Sequence, residues 1–355
     1  MENEFEKLSQ CPYCFSTDLF FLFKSPDRLA GMPGDFSLNK CQCCGLVFQN
    51  PRVKEEFIGK YYTAKLHYYQ PNETPFSLKE NWKKRLKNFL KKQTLYCHFN
   101  YFLQKKNPLF FCLTLPWKRF IKIAGFPCFQ PQGTVLEIGC SHGEFLQELK
   151  NLGWNVQGVE MDEKSAVYGR EKRGLDIYNK KIEQCDFPAK SFNAVIMRMV
   201  LEHLYHPFDA LKQAAFWLKP QGELIFSIPY IYGLESILFK SYFYSLHLPY
   251  HIVFFNKRII RSYLKKIGFS HIKFYHHYFD RDIVASSQYK YQATKSFFYK
   301  ILGYNKIIRF AIIKPFVFLL SLLGKTSRIT VVAKKNLKCH NECKYGSTDY
   351  ILKNN

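Results

Sequence analysis

The chain has 355 residues, 47% of them apolar, with 52 Lys and Arg against 28 Asp and Glu and a formal charge of +24. That length and apolar content allow one sizeable α/β domain with a smaller unit beside it, and they make disulfide staples unnecessary. The charge points to an anionic partner (nucleic acid, an anionic membrane leaflet or a phosphorylated substrate) without separating these.

The opening MENEFEKLSQ is polar and acidic, unlike a secretory leader. No stretch reaches the roughly 18 uncharged apolar residues of a membrane span; the longest uncharged run, Ser241 to Asn256, carries His247, Pro249 and His251. Twelve cysteines without an export signal belong to a reducing compartment, so the chain reads as cytoplasmic. There, paired cysteines mean metal more often than disulfide.

Residues 1–51 hold the first such pairs, Cys11-Pro-Tyr-Cys14 and Cys41-Gln-Cys-Cys44-Gly45. Two C-x-x-C pairs at this separation suit a four-cysteine Zn²⁺ ribbon of two knuckles, with Cys11, Cys14, Cys41 and Cys44 as ligands and Cys43 as an alternative register. Leu19–Phe23 and Phe36–Leu38 supply short strands, Pro33-Gly34 a turn, and Gly45 the turn behind the second knuckle. A closed tetrathiolate site is structural rather than catalytic.

Residues 52–130 read as a basic helical cap or linker. From Lys79 to Lys122 there are twelve Lys and Arg and one acid, Glu80. Trp82, Leu86, Phe89, Leu90, Leu95, Tyr96 and Phe99 recur at helical spacing. The segment is expected to be a cap whose lysines are its solvated face; a basic amphipathic surface for an anionic membrane or a polyanion is the alternative.

From Gln132 strands and helices alternate. Strands are expected at Val135–Ile138, Asn155–Val159, Asp176–Asn179, Ala194–Met197 and Glu223–Ile228, and helices at Glu144–Leu152, Glu163–Arg173 and Phe208–Leu218. Gly153, Gly174 and Gly222 fall where those helices should stop. A helix at Lys257–Ile267 and strands at His271–Tyr275 and Ile329–Ala333 follow. The pattern predicts a doubly wound, mostly parallel, seven-stranded sheet over residues 131–336, with the last two strands antiparallel at one edge. Residues 280–328 form an apolar insertion between those strands. Its PFVFLLSLLG stretch, residues 315–324, is too short to span a bilayer and reads as a core helix, with a membrane-dipping hairpin as the alternative. The tail, 337–355, with Cys339, His340 and Cys343, reads as disordered.

VLEIGCSHGEFL, residues 135–146, is a strand, a glycine-bearing turn and a helix start. It lacks the G-x-G-x-x-G dinucleotide spacing, and it matches a G-x-S-x-G nucleophile elbow at Gly139, Ser141 and Gly143. An elbow on the first strand of its own sheet is unfavourable, although Asp209 and His251 can be nominated as its partners. The third reading, a turn that binds S-adenosylmethionine, demands an acid at the end of the second strand, and Glu160 in VQGVEMD stands there.

On these residues the stretch 131–335 resembles a class I S-adenosylmethionine-dependent methyltransferase. LEIGCSHGEFL is similar to that family's first motif and GVEMDEKSA to its acidic second-strand motif. VLEHL…HP…LKPQG resembles a subgroup signature between the fourth and fifth strands, and HLPYHIVFFNKRIIRSYLKKIGF resembles the loop and helix that follow. With the cysteine pairs and Tyr61-Tyr62, the resemblance extends to an N-terminal zinc-ribbon form. Ser141 departs from the usual glycine, as does Gln221 in Lys219-Pro-Gln-Gly222.

The resemblance implies cofactor contacts from Glu137, Gly139, Cys140, Ser141, Gly143, Glu160 and Met161. It implies further contacts from Ile182 and Glu183, with Asp186 as an alternative, and from Arg198 and Met199. His203, His251 and Tyr250 are the candidate catalytic residues, and Tyr61 or Tyr62 can close over the site. The implied acceptor is a small molecule or a sugar or glycan, lipid-linked in one version and reached at the inner face of a membrane. An RNA acceptor is a less favoured alternative, as is a methyltransferase fold that has lost turnover.

Overall fold

The computed structural model describes residues 4–62, 82–101 and 108–337. The expectations for residues 63–81, 102–107 and 338–355, including Cys339, His340 and Cys343, lie outside these. Short strands open the chain: β1 Phe5–Glu6, β2 Leu19–Pro26, β3 Asp35–Cys41, β4 Val47–Gln49 and β5 Arg52–Val53. Helices α1 Trp82–Phe99, α2 Pro108–Thr114 and α3 Lys118–Ala124 follow. In α1 the apolar stripe divides: Leu95, Cys97 and Phe99 are buried, whereas Trp82, Leu86 and Phe89 face solvent.

The regular part then runs β6 Thr134–Ile138, α4 Glu144–Asn151, β7 Asn155–Val159, α5 Glu163–Arg173, β8 Asp176–Tyr178, β9 Phe192–Arg198, α6 Pro207–Trp217 and β10 Leu218–Pro229. After it come α7 Leu234–Phe239, β11 Val253–Phe254, α8 Lys257–Lys266, β12 Phe269–His276, four more helices and β13 Arg328–Lys335. Strands β6, β9 and β10 are apolar at consecutive positions because helices cover both faces of the sheet. Caps set the helix ends. Asp162 accepts from the Ser165 amide before α5, Asn256 accepts from the Ile259 amide before α8, and Gly174 closes α5 in the left-handed region.

The seven-stranded sheet has the order β12-β13-β10-β9-β6-β7-β8. Strands β10, β9, β6, β7 and β8 are parallel; β13 is antiparallel to both β10 and β12. The chain therefore reverses its direction of winding between β6 and β9, and in a doubly wound sheet the crevice outside the carboxyl ends of two such strands is where a ligand binds.

Two expectations fail. Gly222 does not end a helix: α6 stops at Trp217 and passes straight into β10, and the left-handed turn residue is Gln221 at φ +64°. The stretch 315–324 is not a core helix. Its helix is buried only at Val317, Leu320 and Ser321, while Phe316, Phe318, Leu319 and Leu322 are exposed.

The ribbon is not a separate bead. A four-stranded sheet of order β11-β4-β3-β2 pairs Val253 and Phe254 with Phe48 and Val47. Cys11, Cys41, Leu46 and Phe48 share one apolar core with Met197, Phe226 and Phe255.

Candidate active site

The turn after β6 carries the first group of candidates. Gly139 and Gly143 adopt φ +68° and +75°. A Cβ on Gly139 would sit 2.5 Å from Val200 Cγ2, and one on Gly143 would sit 2.4 Å from Leu175 Cδ1. Both are glycine for backbone and for space. Ser141, at φ +49°, holds a left-handed conformation that an L-residue adopts at a cost.

Glu137, at the end of β6, is almost fully buried. Its Oε1 accepts from Arg198 Nε at 3.0 Å, and its Oε2 has no hydrogen-bond partner. Burial lifts its pKa to about 7, against the pull of Arg198. One strand over, Glu160 Oε2 accepts from the Ser141 amide at 2.8 Å and Oε1 from the Asp162 amide at 2.9 Å. Burial is the main cause of its raised pKa. Asn179 ties β8 to this corner by donating to the Glu160 and Met161 carbonyls. Each Glu160 oxygen keeps a second lone pair.

Other candidates sit less directly. Cys140 packs its sulfur against Gly158, where a Cβ would come within 2.7 Å of it, and its thiol donates to the Ser141 carbonyl at 3.8 Å. Met161 is 64% exposed; Ile182 is buried while its neighbour Glu183 faces outward. Arg198 lies over the Phe145 ring at 4.1 Å and is committed to Glu137. Met199, at φ +57°, donates its amide to the Ser227 carbonyl.

The segment after β9 carries the second group. Glu202, His203 and His251 each offer one donor atom within 4.8 Å of the others. His203 Nδ1 lies 3.0 Å from the Tyr250 carbonyl, which only accepts, so Nδ1 bears the proton and Nε2 the lone pair. The Tyr62 hydroxyl is 3.3 Å from the same Nδ1. His251 Nδ1 donates to the Ser245 carbonyl at 3.0 Å, leaving its Nε2 3.9 Å from Glu202 Oε1. Burial pushes the His203 pKa down to about 4 and that of His251 well below its usual value. Glu202 is fully buried with both oxygens unpartnered, and burial lifts its pKa to about 8.

Tyr250 is placed differently from the expectation for a catalytic residue. Its hydroxyl donates to the Tyr61 carbonyl at 2.9 Å and approaches Asp27 at 3.2 Å, both belonging to the ribbon side. Its ring packs edge-on against Tyr62. Tyr250 thus ties the ribbon to the crevice. Sequence reasoning missed Glu202, whose only signal was an acid inside the apolar run MVLEHL, and Val200, the wedge that demands Gly139.

In the ribbon, Cys11 Sγ lies 3.6 Å from Cys44 Sγ and Cys14 Sγ lies 3.5 Å from Cys41 Sγ. A tetrahedron of thiolates around zinc puts sulfurs about 3.8 Å apart. A disulfide would put them near 2 Å. The amides of Tyr13 and Leu46 point at Cys11 and Cys44 sulfurs, as knuckle turns require. Cys44, not Cys43, completes the set. The four thiols fit a zinc ion.

Residues 114–273 match the family model described as "Methyltransferase domain". Over those residues the chain is similar to methyltransferases. It is similar to the ubiquinone biosynthesis O-methyltransferase of Actinobacillus pleuropneumoniae, 29% identical over 103 residues, 26% of this chain and 44% of that protein. The Coxiella burnetii protein of the same name is 30% identical over 117 residues, 32% of this chain and 47% of its own. The chain thus spans under half the length of these curated relatives. Among solved structures, Haemonchus contortus phosphoethanolamine N-methyltransferase 2 in complex with S-adenosyl-L-methionine is 13% identical, covers 89% of this chain and 71% of that chain, and has a TM-score of 0.44.

Proposed function

We propose that the protein transfers a methyl group from S-adenosylmethionine to a small-molecule acceptor, with Cys11, Cys14, Cys41 and Cys44 holding a structural zinc. The carrying observation is the buried, unpartnered Glu137 Oε2 beside a left-handed turn whose Ser141 amide is held by Glu160. Glu137 Oε2 would accept from the ligand's ammonium, the remaining lone pairs of Glu160 would accept from its ribose hydroxyls, and Ile182 would supply an apolar wall for the adenine. The bound cofactor supplies an activated methyl on a sulfonium sulfur. The chain's own task is to position the acceptor, exclude water and take a proton.

His203 is the base in this reading. Its Nε2 lone pair accepts the proton of an acceptor hydroxyl while Nδ1–H stays on the Tyr250 carbonyl. Burial keeps the ring neutral through the physiological range. The two curated relatives named above are O-methyltransferases by name, which supports an oxygen acceptor on a small molecule.

The test is transfer of labelled methyl to a panel of small phenols and hydroxylated sugars. His203→Ala should lower kcat by on the order of a hundredfold or more. The ratio of the wild-type rate to the His203→Ala rate should stay level from pH 8 down to about 5, because His203 protonates only near pH 4. A ratio that breaks near pH 6.5, or a His203→Ala variant with full activity, would remove His203 from the role.

A further inference from the structure

We propose that α2, the turn after it and the helical run following α9 Arg281–Thr294 form a docking surface for an anionic lipid bilayer. That run comprises α10 Phe297–Tyr304, α11 Lys306–Ile308, a π turn at Arg309–Ile313 and α12 Lys314–Leu322. It begins from a helix that is apolar almost all round but covered on one side only. From α11 to α12 the stripe Ile313, Val317, Leu320 and Ser321 packs inward. Phe310, Phe316, Leu319, Leu322 and Leu323 are 63%, 43%, 54%, 53% and 62% exposed. In a water-soluble helix those positions would be polar.

A second segment, some 200 residues earlier in the chain, adds to this face. Leu109, Leu113 and Leu115, on α2 and the turn after it, are 64%, 58% and 55% exposed. The two segments are joined where Phe120 stacks on Phe318 with ring centroids 6.2 Å apart and where Arg119 donates to the Ser321 carbonyl. Contiguous apolar surface of this kind marks an interaction site rather than scattered exposed leucines.

Charge selects the occupant. No Asp or Glu occurs from Asn81 to Leu136 or from Ile283 to Leu337. Exposed Lys118, Lys306, Lys314 and Lys325 border the apolar positions. The Lys314 ammonium sits over the Phe310 ring, 3.9 Å from its centroid, which holds a cation beside the exposed apolar face. A second copy of this face would meet it with lysines and no acid to pair them. An anionic leaflet supplies both the apolar layer and the negative charge. Among the described residues no helix is long and apolar enough to cross a membrane, so α12 lies in the interface plane. This docking is independent of whether the crevice binds S-adenosylmethionine.

Flotation of the full chain with vesicles tests it. At physiological salt the protein should float with equimolar phosphatidylcholine–phosphatidylglycerol vesicles and bind phosphatidylcholine alone on the order of tenfold more weakly. The variant Phe316→Ser/Leu319→Ser/Leu323→Ser alters only exposed positions and should keep its melting temperature. It should nevertheless lose binding by on the order of tenfold or more. Lys306→Glu/Lys314→Glu should lose the preference for the anionic vesicles. Three outcomes would overturn the proposal. They are wild-type protein that does not float, a triple-serine variant that floats unchanged (electrostatic adsorption of a cationic chain), and a dimer in light scattering that Leu319→Ser dissolves without any lipid binding. None of these outcomes bears on cofactor binding, which calorimetry measures separately.

Discussion

Replacing Gly139 by alanine tests how the cofactor turn is locked to the segment that carries Glu202 and His203. Gly139 holds φ +68°, and a Cβ there would stand 2.5 Å from Val200 Cγ2. The left-handed backbone costs an L-residue about 1–2 kcal/mol. Overpacking against Val200 adds about 1–3 kcal/mol. Gly139→Ala should therefore destabilise the protein by about 2–5 kcal/mol in urea unfolding. Val200→Ala removes both γ carbons and leaves only the Val200 Cβ, 3.8 Å away, which is ordinary contact. In the double variant the overpacking should be relieved and the backbone cost should remain, a coupling of about 1–3 kcal/mol. Coupling below about 0.5 kcal/mol would show that the two segments do not meet as described.

Further expectations follow from the same geometry. Ser141→Gly should raise stability by up to about 1 kcal/mol, since glycine relieves the strain at φ +49°; a loss in thermal unfolding would mean that the hydroxyl matters more than the backbone. Folding raises the Glu202 pKa from 4.5 to about 8 and those of Glu137 and Glu235 to about 7, so the folded state holds extra protons and stability falls as pH rises through that window. His203 and His276 move from 6.5 down to about 4, His247 to about 3, and His251 and His277 well below 6.5; these five histidines outweigh the raised carboxyls between pH 4.5 and 6.5, so stability falls as pH drops below 6.5. Melting temperature should thus peak near pH 6.5, and Glu202→Gln should lessen the decline from there to pH 8 by on the order of 2 kcal/mol; an unchanged alkaline limb would contradict the burial of Glu202. Mass analysis should find one zinc per chain, lost in Cys11→Ser/Cys44→Ser. Because β4 pairs with β11, that loss should lower the melting temperature of the whole chain by about 5 °C or more, and a variant that keeps its zinc or its melting temperature would refute this.

The sheet was legible because its strands are apolar runs and its helices carry a 3.6-residue period, and Glu160 was legible because an acid at a strand's carboxyl end has few other reasons to be there. The pairing of the ribbon with β11 was not, since a two-residue strand has no period and its partner lies some 200 residues earlier. Nor was the tie from Tyr250 to Tyr61 and Asp27, because a hydroxyl's partner depends on how the loop after β10 folds back. For residues 315–324 composition gave the apolar character but not the side that faces inward. With nearly every position apolar, only packing shows that the helix buries a narrow stripe.

The central claim is that the corner built by Glu137, the turn Gly139–Gly143 and Glu160 holds S-adenosylmethionine. Titration calorimetry of the full chain with S-adenosylmethionine tests it most directly. One site per chain is expected, with affinity weakened on the order of tenfold or more by Glu160→Ala, which removes the acceptors proposed for the ribose hydroxyls. Absence of binding by the folded wild-type protein, or binding indifferent to Glu160→Ala, would contradict it.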